Sequence, residues 1–128
     1  MRLLLRDDLP FMTVGLSYEG QSIEIQDVLV DTGSASTLFA ADAVAAISLF
    51  PQPTDELRLI RGVGGTEAVF SRTIDNVEVG GRQLAQFEIE IAGMDYGFAI
   101  NGILGMDFLT RTGAIIDLAK MQIEFTNL

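Results

Sequence analysis

Val28-Leu29-Val30-Asp31-Thr32-Gly33-Ser34 sets a short apolar run against an acid, a hydroxyl, a glycine and a second hydroxyl. The first three residues suit a buried strand. The last four are turn formers, so the chain leaves a sheet here and lifts the Asp31 carboxylate onto a bend. Neighbouring N–H and O–H donors can hold a carboxylate in such a place. Beside a second carboxylate it could activate a water molecule. The sequence carries no second copy of the run, so a paired-carboxylate site would need two chains. Taken alone, Asp-Thr-Gly is also an ordinary turn.

Outward from this stretch the pattern is mostly β. Phe11 to Tyr18 alternates loosely and ends at the turn signal Glu19-Gly20. Ile23, Ile25 and Val28 to Val30 continue the pattern, so a hairpin is expected whose second strand delivers Asp31. Ala40 to Ile47 is alanine-rich with Asp42 near its start, which predicts a short helix. Leu57 to Ile60 and Ala68 to Arg72 flank Arg61-Gly62-Val63-Gly64-Gly65-Thr66, a glycine-rich hairpin tip. Thr73 to Val79 and Phe87 to Ile91 alternate around Gly80-Gly81, a strong hairpin signal. Met106 to Arg111 predicts a second short helix, and Ala114 to Leu118 with Met121 to Phe125 a closing hairpin. The expectation is one mainly β domain over residues 1–128 with one or two short helices.

Composition narrows the chemistry. A chain of 128 residues fits one domain, and 48% hydrophobic content supplies its core. The net charge of −10, with one lysine and seven scattered arginines, argues against nucleic acid or an anionic membrane as partner. With no histidine, Ser-His-Asp catalysis and the usual zinc sites are excluded, and with no cysteine so are thiol chemistry and disulfides. Leu3-Leu4-Leu5 is cut short by Arg6-Asp7-Asp8, too early for a signal peptide, and no apolar stretch is long enough to span a bilayer. A soluble, cytoplasmic protein is expected.

Three motifs then occur in order: Asp31-Thr32-Gly33, the glycine-rich tip Gly62 to Gly65, and Ile103-Leu104-Gly105 before a helix. Separately they read as a turn, a flexible hairpin, and core residues at a helix start. Together, on a mainly β chain, they resemble the retropepsin-like aspartic proteases. The run Gly102 to Leu109, then Ile116-Asp117-Leu118 and a closing strand, is most similar to the cellular and bacterial branch. The protease domain of the DNA-damage-inducible ubiquitin-shuttle proteins has a similar pattern. The resemblance covers about Phe11 to Phe125.

That resemblance implies a closed β-barrel fold, a homodimer, and an endopeptidase in which Asp31 of each subunit shares one water. It implies no metal or other cofactor. By position, Thr32 would hydrogen-bond across the dimer axis and Gly33 would let backbone approach the carboxylate. Ser34 resembles the hydroxyl of pepsin-like enzymes, and its O–H is expected to donate to Asp31 and favour the charged form. Gly62, Val63, Gly64 and Gly65 would form a flap over substrate, with Ile103 and Val63 lining side-chain pockets. The substrate would be an extended peptide or unfolded protein. Retroviral members pair an acid after the Asp-Thr-Gly turn with an arginine after the Ile-Leu-Gly-like glycine. Here those positions are Ala35 and Met106. Losing both avoids an unpaired buried charge, but removes an anchor for substrate backbone. The alternative is therefore a weak or inactive peptide-binding or dimerisation module on the same fold.

Overall fold

Three two-residue turns organise the sheet, each with two successive residues at positive φ. They are Asp7–Asp8 (51° and 63°), Glu19–Gly20 (47° and 80°) and Gly80–Gly81 (56° and 83°). Both central residues of a type I′ turn need that conformation, and its twist matches the flanking strands. Glu19 is an unusual occupant, and its N–H is held by Asp75 Oδ2 at 2.9 Å. A computed structural model describes residues 1–62, 65–94 and 99–126, and the side chains of all of these except 60–67.

The first turn joins β1 (Leu4–Arg6) to β2 (Leu9–Tyr18), and the second joins β2 to β3 (Gln21–Val30). After β3 come β4 (Leu38–Ala40) and α1 (Ala41–Val44), which tightens into a 3-10 turn over Ala45–Ile47. Then follow β5 (Leu57–Gly62), β6 (Gly65–Val79), β7 (Arg82–Ala92), β8 (Gly102–Leu104), α2 (Met106–Arg111), β9 (Ala114–Asp117) and β10 (Gln122–Phe125). The helix expected over Ala40 to Ile47 is thus split. Seven residues are too few to propagate an α-helix without tertiary support. The 3-10 step puts the buried Val44 and Ile47 on one face. The two strands expected between Ala68 and Val79 are one long β6.

The sheet order is β1-β2-β3-β8-β4-β7-β6-β5, with a further pairing of β2 to β6. That last pairing, Leu16 opposite Val77, closes a circuit through β2, β3, β8, β4, β7 and β6. The inward faces of this circuit form the core, in which Val14, Val28, Phe39, Ile74, Phe87, Ile89 and Leu104 are buried. The mainly β class and the closed pairing agree with expectation.

A bulge sets the phase of β3. Met12 pairs with Val28 but Val14 pairs with Ile25, so two residues of β3 oppose one of β2. Asp27 takes up the extra length at φ 59°, a conformation that Asp tolerates better than most residues. Burial switches from Ile25 to Val28 and Val30, and Asp31 follows on the opposite face. Asp27 also ion-pairs with Arg6 at 2.7 Å and accepts from Asn101 N–H at 3.0 Å. The bulge is thereby tied to the strand that enters beside Asp31.

Elsewhere, α2 buries Phe108, whose ring meets Phe87 and Phe125 edge-on at 6.0 and 6.1 Å. Arg72 on β6 holds the segment before β5. Its Nη2 donates to Asp55 and to Phe50 O, and its Nη1 to Tyr18 Oη at 2.9 Å. The Arg72 hydrogen bond keeps the Asp55 carboxyl below its usual range. The first residues pair with Met121 to Ile123. Leu3 N–H donates to Met121 O and Ile123 N–H to Met1 O, both at 2.8 Å. Among the described residues, no helix is long and apolar enough to cross a membrane.

Candidate active site

Strand β8 enters between β3 and β4, parallel to β3, with Val30 beside Leu104. Two parallel strands finish at the same edge, so the Asp31 turn and the Gly105 junction emerge side by side. Asp31 N–H extends the pairing by donating to Leu104 O at 3.0 Å. The chain then bends. Gly33 N–H donates to Asp31 Oδ1 at 2.8 Å and Ser34 N–H to Asp31 O at 3.2 Å. Asp31 is half-buried, while Thr32 and Gly33 are exposed. A Cβ on residue 33 would stand 3.1 Å from Asp31 Oδ1, so glycine leaves the carboxylate its hydrogen bond.

Ser34 departs from expectation. Its hydroxyl donates to Ser36 O at 2.7 Å, and a hydroxyl has one proton to give. The turn's own carbonyl takes it because Ser36 O lies two residues ahead in the bend. Ser34 therefore braces the turn and does not donate to Asp31.

Gly105 is required by packing. A Cβ there would lie 2.2 Å from Ser36 O and 2.9 Å from Ser34 O, both backbone atoms. The approach lets Met106 N–H donate to Ser34 O at 2.8 Å. Ile103 is half-buried, flanked by Leu29 of β3 and Leu38 of β4. Ala35 and Met106 are both exposed, so no charge links the two segments at those positions.

Two residues that the sequence reading passed over join the segments instead. Thr37 is fully buried. Its hydroxyl donates to Asp107 Oδ1 at 2.7 Å and accepts from Gly105 N–H at 3.1 Å. Thr37 N–H donates to Asp107 Oδ2 at 3.2 Å, and Phe108 N–H to Asp107 Oδ1 at 2.8 Å. An acid in the first turn of a helix was a visible signal, but its partner lies 70 residues away.

The glycine-rich hairpin forms as expected, β5 against β6, with Gly62 opposite Gly65 at the end of the ladder. Val63 and Gly64 lie outside the described residues. At its base Arg58 ion-pairs with Glu90, which is only 4% exposed. That carboxylate holds the Arg58 guanidinium above its usual range. Glu90 N–H donates to Thr37 O at 2.9 Å, which connects the base of the hairpin to the Asp31 loop. A cleft of about 580 Å³ lies on the outer face of β2, β3 and β6, lined by Gly15, Glu24, Asn76 and Glu78 among others. None of Asp31 to Ser34 lines it.

Residues 17–111 match the model of a family described as gag-polyprotein putative aspartyl protease. No curated protein gives a significant match. Among solved structures, the EIAV protease complexed with the inhibitor HBY-793 is similar at 22% identity and a TM-score of 0.62. That alignment covers 88% of this chain and 95% of the viral one. A retropepsin-like aspartic protease from Rickettsia conorii is similar at 18% identity and a TM-score of 0.66, covering 95% of this chain and 96% of that one. Identities this low speak for the fold.

Proposed function

The chain belongs to this gag-polyprotein aspartyl protease family, and from that premise we propose that it is a homodimeric aspartic endopeptidase whose site unites Asp31 from two subunits. One observation carries the reading. The Asp31 carboxylate stands at the open end of the β3–β8 pair, fixed by Gly33 N–H and followed by the exposed Thr32 and Gly33.

Two carboxylates brought together at an axis cannot both ionise easily, so they share one proton. The ionised member takes a proton from water as its oxygen adds to the peptide carbonyl, which the protonated member polarises. The protonated member gives its proton to the carbonyl oxygen, forming a tetrahedral diol. The carboxyl that took water's proton then passes it to the amide nitrogen, a diol hydroxyl returns one to the other carboxylate, and the C–N bond breaks to release acid and amine. Thr32 pairs with its mate across the axis, and Gly33 leaves room for substrate backbone. Ser34 contributes by bracing the turn. Gly62 and Gly65, with Val63 and Gly64 between them, close over an extended peptide or unfolded protein. Ile103 lines a pocket for an apolar side chain, and the peptide backbone bonds in strand fashion. The reading places the protein in the cytoplasm, without metal, nucleic acid or membrane as partner. The Gly102 to Leu109 run supports kinship with the cellular and bacterial branch, whose pattern resembles the protease domain of the DNA-damage-inducible proteins.

A second reading draws on Ala35 and Met106. Without a charged anchor for substrate backbone, the fold would serve as a peptide-binding or dimerisation module with little turnover. A mixed peptide library incubated across acidic pH with wild type and Asp31→Asn separates the two. Cleavage by wild type alone supports the peptidase. Binding by both proteins without cleavage supports the module and contradicts the peptidase.

A further inference from the structure

We propose that Thr37 and Asp107 are positioning residues that fix where the Asp31 carboxylate stands relative to its symmetry mate. The inference rests on the two-chain peptidase reading above. Asp31 hangs from Leu104 O through its own N–H, and its loop hangs from Met106 N–H through Ser34 O. Both supports belong to the three-residue segment Leu104-Gly105-Met106. What locates that segment is Thr37, whose hydroxyl accepts from Gly105 N–H and donates to Asp107 Oδ1. Asp107 Oδ2 takes Thr37 N–H in addition. The Asp31 loop and the β8–α2 junction are thus locked by one buried hydroxyl and one carboxylate.

The lock leaves little slack. Thr37 is 0% exposed, and Gly105 is pressed onto Ser36 O. Ala35 and Met106 supply no charged link between the same two segments. Among the described residues the ion pairs are Arg6–Asp27, Arg58–Glu90 and Arg72–Asp55. Asp107 is in none of them, so its carboxylate is met by O–H and N–H donors alone. Glu90 N–H holds the far side of the threonine through Thr37 O.

The separation of two carboxylates sets how strongly they share a proton, and therefore how far apart their two apparent pKa values lie. A loosened lock lets the carboxylates drift apart and weakens that coupling. The bell-shaped pH dependence of kcat then narrows from both sides.

The test compares wild type, Thr37→Val, Thr37→Ser and Asp107→Asn as assembled full-length chains, well below their melting temperatures. Thr37→Val keeps the side-chain shape but strands the buried Gly105 N–H. Its kcat should fall about 30-fold with KM changed less than about threefold, as expected for a misplaced catalytic group. Its pH bell should narrow, and Thr37→Ser should restore both kcat and width. Asp107→Asn, which turns an amide N–H₂ toward Thr37 N–H or its hydroxyl, should resemble Thr37→Val. Amide hydrogen exchange gives a readout independent of turnover. In Thr37→Val, Asp31, Gly105 and Met106 should exchange about tenfold faster or more, while Ile74 and Ile89 in the core hold steady. A Thr37→Val protein with wild-type kcat, bell width and Asp31 exchange overturns the proposal. Failure of wild type to cleave any peptide overturns the peptidase reading itself. The exchange rates would then decide on their own whether the lock holds Asp31.

Discussion

The junction around Asp31 and the hairpin of β5 and β6 are built by opposite rules. At the junction, backbone meets backbone. Gly105 lies against Ser34 O and Ser36 O, Thr37 is buried, and Asp31 N–H and Met106 N–H bond across to Leu104 O and Ser34 O. The hairpin is a sheet edge whose Leu57 and Leu59 are 70% and 76% exposed. Side chains tie it down at its base, through Arg58–Glu90 and, just before β5, Arg72–Asp55. A group that must activate water needs a fixed position, whereas a cover over substrate must open and close. In the proposed peptidase the same sheet would serve both, with the Asp31 junction held by close backbone packing and the Thr37–Asp107 bonds, and the hairpin tethered by side chains at its base.

Substitutions on either side can break or sharpen this contrast. Asp31→Asn removes the charge and should lower kcat by about 10³-fold or more while leaving the melting temperature close to wild type. Peptide assays with parallel thermal melts check it, and turnover retained in the variant contradicts the assignment. Gly105→Ala drives a methyl into Ser36 O and should cost about 2–3 kcal/mol of stability, read from urea unfolding. Wild-type stability there would mean the junction is looser than its contacts indicate. Arg58→Ala unties the hairpin base. KM should rise about fivefold with kcat within about twofold, since substrate covering is affected more than chemistry. An equal loss in kcat would erase the distinction between the two regions.

The smallest effect concerns pH. Arg72 depresses the folded-state pKa of Asp55 below its ordinary 3.8. A depressed carboxyl contributes stability that is fully present above the unfolded value and is lost as pH falls through the folded one. Asp55→Asn should therefore melt lower than wild type near pH 6, and the gap should close as pH falls through the depressed folded value. Parallel curves down to pH 2 would remove Asp55 from the account.

Legibility in the sequence followed the range of the interaction. Turns at Glu19-Gly20 and Gly80-Gly81, α2, and the closing hairpin could be read because each is specified by adjacent residues. Ile23, Ile25 and Val28 to Val30 read as one continuous strand, and the Asp27 bulge that shifts their phase was missed. What escaped was long-range. The insertion of β8 between β3 and β4 joins residues some 70 positions apart, as does the Thr37–Asp107 bond. The Ser34 hydroxyl was assigned to the nearest carboxylate, and its actual acceptor depends on a bend that residue types alone do not fix. The pairing of Met1 to Leu3 with Met121 to Ile123, which joins the two ends of the chain, is likewise long-range.

The central claim is that one chain holds half a catalytic site. It is tested most directly by measuring peptide cleavage per chain against protein concentration, with sedimentation on the same samples. Assembly by mass action predicts that activity per chain rises with concentration, tracks the dimer fraction and then levels off. Cleavage by a chain that sediments as a monomer, at a rate per chain independent of concentration, would contradict it.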